Sequence, residues 1–212
     1  MNAGAAMDNP KPISATGAGP RASTEDCKIY TIGHSKRTLE QFIDLLKAHA
    51  IRQVVDVRTI PKSRHNPQFN KEDLAKRLRN VKIGYRHMRQ LGGLRHAKAD
   101  SQNLGWENLS FRGFADYMDS AAFAEAIEKL KAVAARKKTA IMCAEAVPWR
   151  CHRSLIADAL TKDGWRVLDI MSLKTAKPHR LTAFLRMRKG RIVYPQVVGR
   201  KSWPGGSRAP SG

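Results

Sequence analysis

The chain has 212 residues, 42% of them hydrophobic, with 39 Lys or Arg against 18 Asp or Glu and a formal net charge of +21. That length and apolar content suit one sizeable core and exclude a disordered protein, and no apolar run approaches the roughly 18–20 residues that span a bilayer. The first residues lack an apolar secretion core, and three cysteines without framework spacing fit a reducing cytoplasm better than a disulfide scaffold.

Residues 1–26 are rich in Ala, Gly, Pro, Ser and Thr without periodicity, so a disordered leader is expected there. Residues 28–32 form a short β-prone run that stops at Gly33. Thr38 and Gln41 have capping-box spacing, and Leu39, Phe42, Ile43 and Leu46 then fall on one helical face. Residues 53–57 predict a second strand closed by Asp56-Val57-Arg58. A polar loop follows, punctuated by Pro61 and Pro67, whose stretch from Arg64 to Phe69 is expected to be mobile enough to close over a polyanion. A basic helix over 72–79, a third strand over 81–87 and a turn at Leu91-Gly92-Gly93 come next.

The stretch 103–111 looks irregular. Helices are predicted over 114–118 and 121–135, the second burying Phe123, Ile127, Leu130 and Ala134. A strand at 139–142, a helix at 151–162 stopped by Gly164, and a strand at 166–170 complete the pattern. A single α/β domain over 27–198 follows, in three layers with a mainly parallel sheet flanked by helices, because strands alternate with helices and hairpin signals are lacking. Residues 199–212, rich in Gly, Pro, Ser and Arg, are expected to form a disordered basic tail.

The charge is unevenly placed. Twelve Lys or Arg and two acids lie between Arg58 and Lys98, and ten Lys or Arg with no acid follow Asp169. Such an excess points to a polyanionic partner, DNA or RNA, and the absence of a basic amphipathic helix argues against a membrane surface. Neither a cofactor nor an oligomeric state can be read from the sequence.

In mainly parallel sheets ligands gather at the carboxyl ends of the strands. Three polar clusters fall there: Gly33-His34-Ser35, Asp56-Val57-Arg58 and Cys143-Ala144-Glu145. The last opens the densest stretch of chemistry in the chain, Cys143 to Arg153, which holds two cysteines, a carboxylate, an imidazole and two guanidiniums in eleven residues. Arg58, Arg150 and Arg153, with Ser35 and a helix start at Cys151 and His152, are candidates to bind an anion. Glu145, Asp56 and His34 are candidates for proton transfer, and Cys143 for a nucleophile.

Other readings of the same residues stand beside these. Cys143 also reads as a small buried hydrophobe, Asp56 and Arg58 as an ion pair tying loops together, and His152 as a helix-start cap. No metal site is assigned: Cys-x7-Cys-His is not a recognised ligand spacing, and adjacent helical residues point in different directions. Tyr85, Trp106, Phe111, Tyr117 and Trp149 could line the mouth of the site, although core positions are the commoner use of aromatic residues.

Taken together, Thr31-Ile32-Gly33-His34-Ser35, Asp56-Val57-Arg58 with Pro61 and Ser63, Leu91-Gly92-Gly93, and Cys143-Ala144-Glu145 with Cys151-His152-Arg153 resemble domain-of-unknown-function family 488 over about residues 28–170. The resemblance implies an α/β architecture and a cluster of signature residues, with no established reaction. The expected function is an enzyme acting on a phosphate-bearing substrate, a nucleotide or nucleic acid, at a strand-end pocket. The alternatives are a non-catalytic nucleic-acid-binding module and a rhodanese-like sulfur or redox protein using Cys143.

Overall fold

The computed structural model describes residues 27–196, so the expected leader at 1–26 and the tail at 199–212 lie outside the described residues. In chain order the elements are β1 (Lys28–Gly33), α1 (Leu39–Ala48), β2 (Gln53–Asp56), α2 (Lys71–Asn80), β3 (Gly84–His87), α3 (Leu109–Tyr117), α4 (Ala121–Arg136), β4 (Thr139–Cys143), α5 (Arg153–Lys162), β5 (Arg166–Ile170), β6 (Ala176–Pro178), β7 (Arg186–Arg188) and β8 (Arg191–Val193). Single 3-10 turns sit at Pro67–Phe69, Arg89–Leu91 and Pro148–Arg150.

Six strands form one sheet in the order β3-β2-β4-β1-β5-β6, parallel throughout except for β6, which runs antiparallel to β5. Both faces are covered. Tyr30, Val54, Ala140 and Leu168 pack with Phe42 and Leu46 of α1 and Leu74 and Leu78 of α2. Their sequence neighbours Ile29, Val55, Ile141 and Val167 pack on the other face with residues of α3, α4 and α5, among them Phe114, Leu130 and Leu155. Alternation of side chains along a strand sends successive apolar residues to opposite faces, so continuous apolar strands need a helical layer on each. The expected three-layer α/β architecture is what the chain adopts.

Local chemistry sets the helix starts. Thr38 Oγ1 accepts from the Gln41 amide at 3.2 Å and Gln41 Oε1 accepts from the Thr38 amide at 3.0 Å, the reciprocal box its spacing predicts. Helix α3 begins earlier than its apolar residues suggest, because the Asn108 side chain accepts from the amides of Ser110 and Phe111 at 2.9 and 3.2 Å. Of the stretch 103–111 expected to be irregular, residues 103–108 are so, and the last three, from Leu109 to Phe111, belong to this helix.

The sequence pattern also misses β6 to β8. Strands β7 and β8 form a two-stranded hairpin turned at Lys189 and Gly190, which both have positive φ, 49° and 76°. That backbone is the usual two-residue hairpin turn, but with Lys where Asn or Asp would have announced it.

The final segment is tied to the domain by buried charge. The carboxylate of Asp158, on α5, accepts from His179 Nε2 at 2.9 Å, the Thr182 amide at 3.1 Å and the Tyr194 hydroxyl at 2.9 Å. His179 Nδ1 also lies 3.5 Å from Asp169, whose carboxylate accepts from Thr31 at 2.6 Å. Burial disfavours a charged His179, but the hydrogen bonds and charges of Asp158 and Asp169 overcome it and raise its pKa to about 9 from 6.5. A raised folded-state pKa stabilises fully below about pH 6.5, and that contribution is lost as pH rises through about 9. Stability is expected to fall by on the order of 3 kcal/mol across that window. Urea titrations at several pH values check it: His179→Gln should flatten the slope, and an unchanged slope would remove His179 as its source.

Candidate functional site

The site follows from the strand order. The chain leaves β1 through α1 on one face toward β2, and leaves β4 through α5 on the other face toward β5. Adjacent strands whose connections depart in opposite directions open a crevice at their carboxyl ends. Strands β1 and β4 are such a pair, with Gly33 in register with Cys143. The crevice is a cavity of about 410 Å³. Its wall includes His34, Arg58, Lys62, Glu145, Arg150 and the Cys143–Cys151–His152 group.

Two backbone bonds hold the exits of β1 and β4 together: the His34 amide donates to Cys143 O at 3.0 Å, and the Ser35 amide to Ala144 O at 2.8 Å. The loop after β4 crosses directly over Gly33, where a Cβ would stand 1.7 Å from the Glu145 carbonyl oxygen. Only glycine permits that approach.

Arg153 holds the loop from below. It is 1% exposed, donates to the carbonyls of Glu145 at 2.6 Å and Ala146 at 3.0 Å, and has no carboxylate within ion-pair distance among the described residues. It is absent from the cavity wall. Its place is under the loop, so the anion-binding part assigned to it from sequence does not match its position. The reason is that it is the first residue of α5 and sits with its guanidinium in the core.

Asp56 is likewise committed elsewhere. Its carboxylate is fully buried, accepting from the Arg58 amide at 3.0 Å, from Arg58 Nε at 2.9 Å and Nη2 at 2.6 Å, and from the Tyr85 hydroxyl at 2.7 Å. Burial and the Asp56 charge push the Tyr85 hydroxyl's pKa up, so it remains a donor. Arg58 Nη2 donates further to Phe69 O at 2.7 Å. The pair ties β2 to the loop before α2, the ion-pair reading of these two residues. Arg58 still reaches the cavity wall, while Asp56 does not.

His34 has both ring nitrogens engaged. Nδ1 donates to the Ser35 carbonyl at 2.9 Å, and Nε2 faces Arg58 Nη1 at 3.4 Å. Burial, with a smaller contribution from Arg58, lowers its pKa to about 4 despite the Ser35 bond. A neutral ring at neutral pH, already accepting from a guanidinium, is a poor general base. Its other face stacks on Phe69 at a centroid distance of 4.2 Å. Phe69 is fully buried, and the Ser63 amide donates to Asn70 Oδ1 at 2.8 Å. The loop expected to be mobile is pinned at this end. Ser35, at φ 51°, lies outside the cavity wall.

The cysteines and His152 come together in a way the spacing did not suggest. Cys151 is extended (φ −137°, ψ 141°) after the one-turn Pro148–Arg150 segment, and α5 starts only at Arg153. Cys151 and His152 are therefore not successive residues of a helix and can face the same point. His152 makes no side-chain cap. Its Nε2 donates to Val57 O at 3.1 Å, which leaves the lone pair of a neutral ring on Nδ1. Nδ1 lies 3.9 Å from Cys143 Sγ and 3.8 Å from Cys151 Sγ. Gly93 makes room for the ring, since a Cβ there would stand 2.4 Å from Nδ1.

The two thiols share their protons unequally. The hydrogen bond to Cys151 and burial hold the Cys143 proton in place, raising its pKa well above the ordinary value. Burial opposes ionisation of Cys151 too, but that same bond, His152 and Arg153 outweigh it and lower its pKa well below.

The sequence did not single out Lys62 or the carbonyl of Val57; the proline-bounded Lys62-Ser63 step was the available signal for the first. Of the aromatic residues, Phe111 lines this cavity. Trp106 and half-exposed Trp149 line a second cavity of about 950 Å³, which shares Arg150 with the first and includes Phe184 and Arg180. Tyr117 lies under the Arg95 guanidinium, 3.7 Å from its ring centre. No helix among the described residues is long and apolar enough to cross a membrane.

No curated protein and no solved structure matches the chain. The chain belongs to the family described as Domain of unknown function DUF488, whose model matches residues 38–160, more than half of its length, taking in Asp56-Val57-Arg58 and Cys143 to Arg153 and starting after Gly33-His34-Ser35.

Proposed function

We propose that the protein is an enzyme that acts on a phosphate-bearing substrate, a nucleotide or nucleic-acid end, in the cavity between the carboxyl ends of β1 and β4. The observation that carries this reading is the charge of the cavity wall. Arg58, Lys62 and Arg150 line it with a single carboxylate, Glu145. Arg150, Lys62 and Glu145 are exposed, and so free to meet a ligand, whereas Arg58 is fixed in place by Asp56. Fixed and free cations together suit a phosphate, and the volume suits a mononucleotide-sized group. Glu145 is the proton-transfer candidate, since Asp56 is saturated and His34 is neutral and engaged.

Calorimetric titration with inorganic phosphate and with mononucleotides tests this. Arg150→Ala and Lys62→Ala should each weaken binding by roughly ten- to a hundredfold, the worth of a charge-assisted hydrogen bond, and affinity should fall as salt rises. Glu145→Gln should keep the binding and lose turnover. Binding that ignores both cation replacements would place the phosphate elsewhere. A thiol-based reaction is the second reading, favoured by the Cys143–Cys151–His152 group; rapid alkylation of Cys151 in the folded protein would support it.

A further inference from the structure

We infer that Cys143, Cys151 and His152 form a zinc site of the open, three-ligand kind, with its fourth position directed into the cavity. Their ligand atoms all lie within 4.8 Å of one another. In a tetrahedral site with Zn–S of about 2.3 Å and Zn–N of about 2.0–2.1 Å, sulfur and nitrogen ligands stand about 3.6 Å apart. The observed separations from His152 Nδ1 to the two sulfurs, 3.9 and 3.8 Å, need to close by only a few tenths of an ångström.

Three further features match what a metal requires. First, a ligating imidazole is oriented by a hydrogen bond from its other nitrogen, and His152 Nε2 makes that bond to the Val57 carbonyl at 3.1 Å, leaving Nδ1 toward the sulfurs. Second, both cysteines are buried, 7% and 3% exposed, so the set has a dry side and opens only where the cavity lies. Third, two sulfurs and one nitrogen are a donor set that zinc accepts and that magnesium and calcium do not. Three protein ligands, with no fourth Cys, His, Asp or Glu in the group among the described residues, define an open site and not a closed structural one.

Binding would release the two thiol protons to solvent, and the two thiolates would balance the charge of the ion. The open position then faces the wall that carries Arg58, Lys62, Arg150 and Glu145. It would take a water molecule or a phosphate oxygen, and would supply the Lewis acid that those side chains lack. The ligand set stands on its own geometry; only the identity of the group in the fourth position rests on the phosphate reading above.

Full-length protein purified under reducing, chelator-free conditions should bind close to one equivalent of zinc. Its cobalt-substituted form should show thiolate-to-cobalt charge transfer in the near ultraviolet and intense visible bands of four-coordinate cobalt. Cys143→Ser, Cys151→Ser and His152→Ala should each weaken zinc binding by at least about tenfold. His152→Ala leaves the thiols intact, so it serves where a serine variant fails to fold. Folded wild-type protein that takes up no zinc, a cobalt spectrum without sulfur charge transfer, or both thiols titrating as free in the metal-saturated protein would overturn the assignment. Phosphate titration of the metal-loaded protein separates the two ideas. Zinc without phosphate binding would leave the metal site standing and remove the substrate reading; phosphate without zinc would do the reverse.

Discussion

Replacing Asp56 by alanine is expected to destabilise the protein by about 3–5 kcal/mol, because it leaves the Arg58 guanidinium buried beside a neutral hole. Arg58 is 6% exposed and Asp56 fully buried, and three Arg58 nitrogens and the Tyr85 hydroxyl all donate to that one carboxylate. For a domain of this size the loss corresponds to a fall in Tm of roughly 10 °C. Removing both charges tests the explanation. Asp56→Ala combined with Arg58→Met should recover part of the loss, since an apolar replacement of a whole buried pair is often tolerated. A single variant losing less than about 1 kcal/mol in urea titration would show that water relieves the pair and that it is not buried as described. The same result bears on catalysis, for an Asp56 that holds β2 to the following loop is not free to move protons.

Gly33→Ala should damage the site directly. The new Cβ would meet the Glu145 carbonyl oxygen at 1.7 Å, its carbon at 2.7 Å and Ala146 Cα at 3.1 Å. All three are backbone atoms, so no side chain can swing aside. Strand β1 is the less able to yield, being paired with β4 on one side and β5 on the other, with the Gly33 carbonyl accepting from Arg37 at 2.6 Å. The loop over 144–146 must therefore lift, taking from Arg153 both of its carbonyl acceptors. Overpacking of this kind costs about 1–3 kcal/mol. The larger effect falls on phosphate affinity, which should drop by more than in Arg150→Ala, because Glu145 and Arg150 move with the loop. Calorimetry and thermal melting of one preparation check both; wild-type affinity in a folded Gly33→Ala protein would mean that the loop does not shape the cavity.

The three polar clusters at the ends of β1, β2 and β4 meet for topological reasons, because these strands are neighbours in the sheet. Periodicity and capping residues state where strands and helices fall, and β1, β2, β4 and β5 with α1 and α4 are legible in that way. Those are local signals, carried by alternation of apolar residues and by Thr38 or Gly164. Elements held by other means stayed hidden in whole or in part, since of α3 only the portion from Phe114 onward shows in the pattern. Helix α3 starts on an asparagine cap in a polar stretch, β6 to β8 are three residues each, and their anchor is the buried Asp158–His179–Tyr194 cluster drawn from distant parts of the chain.

By itself the sequence determined the α/β class, the strand ends at which polar residues collect and the family to which the chain belongs. Each rests on patterns a few residues long. Only the tertiary structure decided what the individual side chains do there. Arg153 and Asp56 turn into the protein while Arg150 and Lys62 face the cavity, because burial and hydrogen-bond partners, not spacing, fix a charged group's direction. The same holds for Cys143, Cys151 and His152. Their spacing argues against a shared ligand, but an extended Cys151 ahead of the helix and the carbonyl of Val57, ninety-five positions from His152 in the chain, bring the three onto one point.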